Sequence, residues 1–257
     1  MSTITTENEL TQTQQKTLKV HSIESFGTYD GPGIRTVFFL QGCLFQCLYC
    51  ANPDTMRMNS GTITRLSQLL DTALKMKSFF GTDGGVTASG GEPCLQANNL
   101  RLLFKELRER DIHTCLDTNG YIMNKYVVDL LEQTDLVLLD VKHIEPTIHK
   151  KITGQSNAKT LSFARYLEDQ GKPFWLRYVL VPGLSDNAEH LHKLGVHFQS
   201  YRQIKKLEIQ PYHRLGEYKW KELGRKYPLE GIPENTAEQL EKAKQIFELY
   251  FQEVVVN

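Results

Sequence analysis

Residues 85–118 read GVTASGGEPCLQANNLRLLFKELRERDIHTCLDT, and they run strand, helix, strand. Gly85–Ser89 is a short run of strand length. Asn98–Arg110 is amphipathic through Leu102, Leu103 and Leu107, and His113–Thr118 is again apolar and of strand length. A helix between two such runs predicts a βαβ unit with parallel strands. The pattern extends in both directions. Before it stand Thr36–Gln41 (TVFFLQ) and Arg65–Phe79, with Leu66, Leu69, Leu70, Ala73 and Leu74 at helical spacing. After it come the apolar runs Leu136–Val141, Phe174–Val181 and Leu207–Pro211, with helical segments near 124–132, 160–170 and 188–198. Thr236 and Gln239 have capping-box spacing and open a last helix, whose apolar face is Leu240, Ala243, Ile246, Phe247 and Tyr250.

These segments make six βα units, with no internal repeat and no linker. Periodicity leaves both an open doubly wound sheet and a full or partial barrel open. We expect a single α/β domain over residues 19–257, a partial (β/α)6 TIM-like barrel, preceded by a disordered Thr- and Gln-rich tail at 1–18. In either architecture, ligands collect where the strands end. Polar residues follow the strands here: Gly42–Cys50, Gly90–Gly91–Glu92, Asp117–Thr118 and Asp140–Lys142, with Arg177 inside the fifth strand and His213 after the sixth.

Thirty basic and thirty acidic residues cancel, so no overall field draws in nucleic acid or an anionic membrane. No apolar run reaches bilayer length and no secretory signal opens the chain. Five cysteines, three of them within eight positions, do not read as a secreted disulfide framework, and a cytoplasmic location is expected.

Cys43, Cys47 and Cys50 have the spacing C-x3-C-x2-C in GCLFQCLYC. Thiolates this close suit zinc or iron–sulfur ligation. A structural zinc takes four protein ligands, and this loop has no fourth Cys or His. Three ligands hold three corners of a 4Fe–4S cube and leave one iron open. A zinc knot completed by a distant residue, or simple buried thiols, is the alternative reading.

That spacing after the first parallel strand resembles the signature of radical S-adenosylmethionine (SAM) enzymes. The blocks DGPGIRTVFFLQGC, GGVTASGGEP, HTCLDTNG, RYVLVPGLSDN and IQPYHRLGEYKW look like the pyruvate formate-lyase activating enzymes, a family of glycyl-radical-enzyme activases. They run from about Ser22 to Gly231 in the family's order. Ala51 stands where a histidine is common, and Pro93 and Cys94 follow the GGE segment where small or apolar residues occur. No cysteine-rich insert lies between Cys50 and Gly84, unlike many activases of other glycyl radical enzymes.

The resemblance implies a 4Fe–4S cluster on Cys43, Cys47 and Cys50. It implies SAM held by Gly90, Gly91 and Glu92 and lined by Tyr49, Cys50, Ala51, Asp140, Val141, Lys142 and His213. It further implies a monovalent cation (K⁺ or Na⁺) on Asp117, Thr118, Asp140 and the Leu138 carbonyl, and Asp30, Arg177 and His213 near the substrate loop. Read without it, Gly-Gly is a turn, Asp and Thr cap helices, and a lone Arg, His or Tyr at a strand end is ordinary structure. Cys94 and Cys115 read as buried thiols. The implied reaction is reductive cleavage of SAM and formation of a glycyl radical on pyruvate formate-lyase, with a flavodoxin or ferredoxin-like electron donor and a monomeric enzyme. An activase of another glycyl radical enzyme, or a metal-binding electron-transfer module, remains open.

Overall fold

The computed structural model describes residues 16–257. They group into two compact units. The first is the described part of Met1–Gly42 with Arg57–Asp117 and Ile122–Asp135, and the second is Cys43–Met56, Thr118–Tyr121 and Leu136–Asn257.

In the first unit, β1 (Thr17–Gly27) pairs antiparallel with both β2 (Arg35–Leu40) and β3 (Thr62–Arg65). β2 then pairs in parallel with β4 (Gly85–Gly90), and β4 with β5 (His113–Thr118). The β-branched and aromatic run of β2 is buried on both faces, as a strand within a parallel sheet requires. Helices α1 (Leu66–Met76), α2 (Ala97–Arg108) and α3 (Lys125–Glu132) carry the crossovers. α2 buries Leu100, Leu103, Phe104 and Leu107, each contributing about 1.5–3 kcal/mol when fully removed from water.

In the second unit, β6 (Leu136–Asp140), β7 (Phe174–Leu180), β8 (Ile204–Pro211) and β9 (Val254–Val256) are parallel neighbours in that order. Its helices are α4 (Pro146–Thr153), α5 (Ala158–Asp169), α6 (Ala188–Phe198), α7 (Glu217–Glu222) and α8 (Ala237–Glu248). α6 and α8 approach closely because Gly195 has no side chain. A Cβ there would stand 2.2 Å from the Tyr250 ring, whose hydroxyl instead lies 2.9 Å from His192 Nδ1.

The six expected strands are β2, β4, β5, β6, β7 and β8, and helical segments follow each. β3 and β9 end the strand order, so the mostly parallel sheet is not closed. The α/β class and the partial barrel expected from the sequence stand on these features. Three differences have physical reasons. Most of the segment read as a tail lies outside the described residues, but Thr17 and Leu18 belong to β1, where Leu18 is buried. The helix expected over Arg65–Phe79 stops at Met76 and tightens into a 3-10 turn, Phe80 N–H donating to Lys77 O at 3.2 Å. α4 and α7 were not expected: α4 buries only His149, Ile152 and Thr153, and α7, at six residues, buries only Trp220, so neither shows an apolar stripe in the sequence.

Candidate functional site

The second unit contains the cysteine loop, and none of its three cysteines is in a disulfide. Its path follows α4: Gln46 N–H donates to Thr153 O at 2.8 Å and Leu48 N–H to Ile152 O at 3.0 Å. The loop thereby satisfies carbonyls at the C-terminal end of α4, which have no partner within a helix. Phe45 and Tyr49 turn inward and bury with Ile152, Val181, Tyr212 and Trp220. The far side of the loop is latched by α7. Trp220 Nε1–H donates to Cys50 O at 3.0 Å and Lys219 Nζ to Asn52 Oδ1 at 2.7 Å. Gly216, just before α7, lies so close that a Cβ would stand 2.6 Å from Ala51 Cα.

Burial pushes the Cys47 thiol up to about 12 and raises that of Cys50. Both are therefore neutral thiols in the metal-free protein, and a bound metal takes the proton off a coordinating thiol outright. Asn119 Nδ2 lies 3.9 Å from Cys43 Sγ as a donor. Three soft donors in a low-polarity loop, with an N–H facing one sulfur, fit an iron–sulfur cluster. Among the described residues no three His, Cys, Asp or Glu side chains already form a metal cage. The loop supplies the donor set.

Asp140 and Lys142 at the end of β6 meet this loop electrostatically. Lys142 Nζ donates to Asp140 Oδ2 at 2.7 Å and stands 5.8 Å from the Tyr49 ring centre. Burial works against the Lys142 charge, but Asp140, Tyr49 and Cys47 together raise its pKa above the ordinary value. The Tyr49 hydroxyl is buried without a hydrogen-bond partner among the described residues. Leu138 is buried within β6, and Val141 N–H donates to Arg177 O at 3.1 Å. Thr118 Oγ1 accepts from Gly120 N–H at 3.0 Å.

Arg177 on β7 faces Glu208 on β8, Nε 3.5 Å from Oε2. In the Gln210 amide orientation that satisfies both groups, its oxygen accepts from Arg177 Nε at 2.7 Å. His213 is exposed, its Nδ1 accepting from Leu215 N–H at 3.3 Å.

In the first unit, Gly90–Gly91–Glu92 follows β4. Gly90 has φ +103°, and a Cβ on Gly91 would stand 2.1 Å from Gly42 O, so neither position accepts another residue without movement. Glu92 N–H donates to that same Gly42 O at 2.7 Å. The Glu92 side chain is buried, and its Oε1 accepts from Cys94 N–H at 2.9 Å, capping a short 3-10 turn. Asp117 Oδ2 accepts from Ser89 Oγ at 2.6 Å across β4 and β5. Asp30 lies elsewhere in this unit. Its carbonyl accepts from Thr87 Oγ1, which in turn accepts from the buried Arg35 Nε, both at 2.6 Å.

The expected residues thus fall into groups: the cysteine loop with Tyr49, Asp140 and Lys142; Arg177 with Glu208 and Gln210 across β7 and β8; Gly90–Glu92 with Gly42; and Asp117 with Ser89. Asn119, Glu208 and Gly216 were not singled out from sequence. Asn119 and Gly216 sit inside the blocks HTCLDTNG and IQPYHRLGEYKW, and that placement was the only available signal.

Comparison with known proteins gives one family match, two relatives and two solved structures. Residues 37–195 match the Radical SAM superfamily. The chain is 48% identical over 235 residues to the pyruvate formate-lyase-activating enzyme of Streptococcus mutans, covering 88% of this chain and 89% of that one. It is 43% identical over 240 residues to pyruvate formate-lyase 1-activating enzyme of Escherichia coli K12, covering 92% and 98%. Among solved structures, Streptococcus suis SuiB bound to S-adenosylmethionine superposes with a TM-score of 0.66 at 14% identity, over 84% of this chain and 48% of that one. A domain of a pyruvate-formate lyase-activating enzyme from Bacteroides vulgatus gives 0.58 at 22% identity, over 68% and 99%. These two likenesses concern the fold.

Proposed function

We propose that this chain, which belongs to the radical SAM superfamily and within it to the pyruvate formate-lyase-activating enzyme family, activates pyruvate formate-lyase under anaerobic conditions by making a glycyl radical on it. The observation that carries the reading is the loop GCLFQCLYC, with three cysteines outside any disulfide and no fourth cysteine in the loop, in a chain 48% identical to an activating enzyme along most of its length.

Cys43, Cys47 and Cys50 would hold a 4Fe–4S cluster, and the chemistry it would supply is one-electron reductive cleavage of SAM to methionine and the 5′-deoxyadenosyl species that would abstract the Cα hydrogen of the partner's glycine. Gly90, Gly91 and Glu92 hold the amino group of SAM, the glycines by allowing close backbone approach and the carboxylate by charge. Tyr49 and Ala51 line the adenosine side, and Lys142 keeps its charge there through Asp140. Asp117, Thr118, Asp140 and the Leu138 carbonyl bind a monovalent cation, K⁺ or Na⁺, whose hard character suits these oxygens. Arg177, His213 and Asp30 orient the substrate loop through charge-assisted hydrogen bonds to its carbonyls and amides. Glycine is a fitting target because its loop threads into a cleft without a side chain. A flavodoxin or ferredoxin-like protein donates the electron. The enzyme works as a monomer in the cytoplasm, its radical SAM domain being the expected residues 19–257 with Thr17 and Leu18 of β1 added. No helix of the described residues is long and apolar enough to cross a membrane, and none of the five cysteines is in a disulfide, which suits a reducing compartment.

The test is anaerobic reconstitution with iron and sulfide, followed by SAM, a reductant and pyruvate formate-lyase. A glycine-centred radical on the partner and one 5′-deoxyadenosine per radical support the reading. Cluster loading without SAM cleavage would leave an electron-transfer module. A radical only on a different glycyl radical enzyme would reassign the partner.

A further inference from the structure

Asn119 is held in a way that turns its amide N–H towards the cysteine loop. Its side-chain oxygen accepts from Tyr121 N–H at 3.0 Å. Its backbone carbonyl accepts from Thr160 Oγ1 at 2.7 Å, tying the residue to α5. The first bond determines the amide orientation: with Oδ1 used by an N–H donor, the NH₂ group must point the other way. That direction is Cys43 Sγ, 3.9 Å from Nδ2.

The surroundings keep it there. Asn119 is buried. Gly120, with φ +64°, makes the turn, and a Cβ there would stand 2.8 Å from Leu139 Cδ1 and 3.1 Å from Phe163. The next residue, Tyr121, packs edge-to-face on Phe45 of the cysteine loop at 5.4 Å and donates its hydroxyl to Gln155 Oε1 at 2.9 Å. The donor and the sulfur are therefore carried by two segments that pack on each other. A fixed amide N–H aimed at a sulfur is a means by which a protein sets the potential of an iron–sulfur cluster, because it favours the more negative, reduced state.

We propose that Asn119 is a positioning and tuning residue for the cluster: its amide donates to the Cys43 thiolate and makes the cluster easier to reduce. The proposal rests on the reading of Cys43 as a cluster ligand. Asn119 needs no contact with SAM or with the partner for this role.

The experiment compares the full chain, anaerobically reconstituted, with Asn119→Ala and Asn119→Asp. Iron and sulfide content are measured first, then the midpoint potential by electron paramagnetic resonance during reductive titration without SAM. Asn119→Asp keeps an acceptor for Tyr121 N–H but has no amide donor. The expected result is a cluster in all three proteins and a more negative midpoint in both variants. The shift is about tenfold in the reduced-to-oxidised ratio at fixed potential, equivalent to about 59 mV for one electron. It is larger for Asn119→Asp, whose charge adds to the lost bond. Unchanged midpoints in loaded variants overturn the proposal and leave the cluster assignment standing. A wild-type chain that takes up no cluster overturns both. If Asn119→Ala loses the loop's structure and holds no iron, the uncharged, similarly sized Asn119→Leu takes its place, and its midpoint decides.

Discussion

Arg177 and Glu208 are register partners on neighbouring parallel strands, and their charges meet, Nε 3.5 Å from Oε2. The same carboxylate takes a second cation, Lys206 Nζ at 2.8 Å from Oε1, and Lys206 in turn stands 3.3 Å over the Trp175 ring centre. One buried anion thus orders two cations along a face of β7 and β8. Glu208 is almost fully buried, and taking it away leaves two cations with less compensation than they need.

We therefore expect Glu208→Ala to destabilise the protein by about 3–5 kcal/mol in urea unfolding, as for a broken buried pair. Glu208→Gln keeps the shape and removes only the charge. It should leave iron content intact and reduce partner-dependent SAM cleavage by about ten- to hundredfold, or about 1.4–2.7 kcal/mol of transition-state stabilisation. Equal loss of iron binding in Glu208→Gln would place Glu208 with the cluster rather than with Arg177.

Gly216 is the tightest point of the latch over the cysteine loop. Its φ of −82° suits any residue, so the glycine is there for space alone. Gly216→Ala puts a methyl against the Ala51 backbone. The expected effect is a stability loss of about 1–3 kcal/mol by thermal or urea unfolding, together with faster iron loss to a chelator. A variant with lowered stability and unchanged iron retention would show that the latch does not position the loop.

His143 supplies a pH dependence with a definite sign. Burial, then the neighbouring His190 ring 5.0 Å away, lowers its pKa to about 4, while Glu145 N–H donates to its Nδ1. The facing groups are Glu145, His149, His190 and Lys193. The unfolded chain takes up this proton near the ordinary value of about 6.5. Stability is therefore complete above about pH 6.5 and is lost as the pH falls towards 4, by roughly 1–3 kcal/mol. His143→Asn keeps an acceptor for Glu145 N–H and should flatten the metal-free protein's urea midpoint over this range. An unaltered slope would contradict it.

Asp140 is bound to Lys142, so its removal acts on both. Asp140→Asn should weaken SAM binding and abolish any difference between K⁺ and Na⁺ buffers, measured as the SAM dissociation constant against cation concentration. A variant that keeps the whole cation response rules out Asp140 as a cation ligand.

The parts of the fold that were legible in the sequence are those with local causes. β5 at His113–Thr118 is a short run of strand length, α6 at 188–198 buries Leu191, Leu194, Gly195 and Phe198 at helical spacing, and Thr236 caps α8 through the expected reciprocal bonds with Gln239. β1 was missed because only Leu18, Val20 and Gly27 are buried along its eleven residues, so its sequence carries no sustained apolar run. The cysteine loop declared itself by donor type and spacing. Asn119 and Glu208 did not, because their roles come from non-local facts. One is an amide turned by a hydrogen bond two residues on, and the other is a register that sets Arg177 opposite a residue 31 positions later.

The central claim is that three thiols hold a cluster that serves radical formation on a partner glycine. Its most direct measurement is the electron paramagnetic resonance spectrum of pyruvate formate-lyase after anaerobic incubation with the reconstituted chain, SAM and reductant, run beside a partner whose radical glycine is replaced by alanine. The account predicts a glycine-centred radical in the first sample, none in the second, and none with Cys43→Ala, Cys47→Ala or Cys50→Ala. No partner radical from the fully loaded chain, or SAM cleavage that is the same with either partner and survives loss of the cysteines, would contradict it.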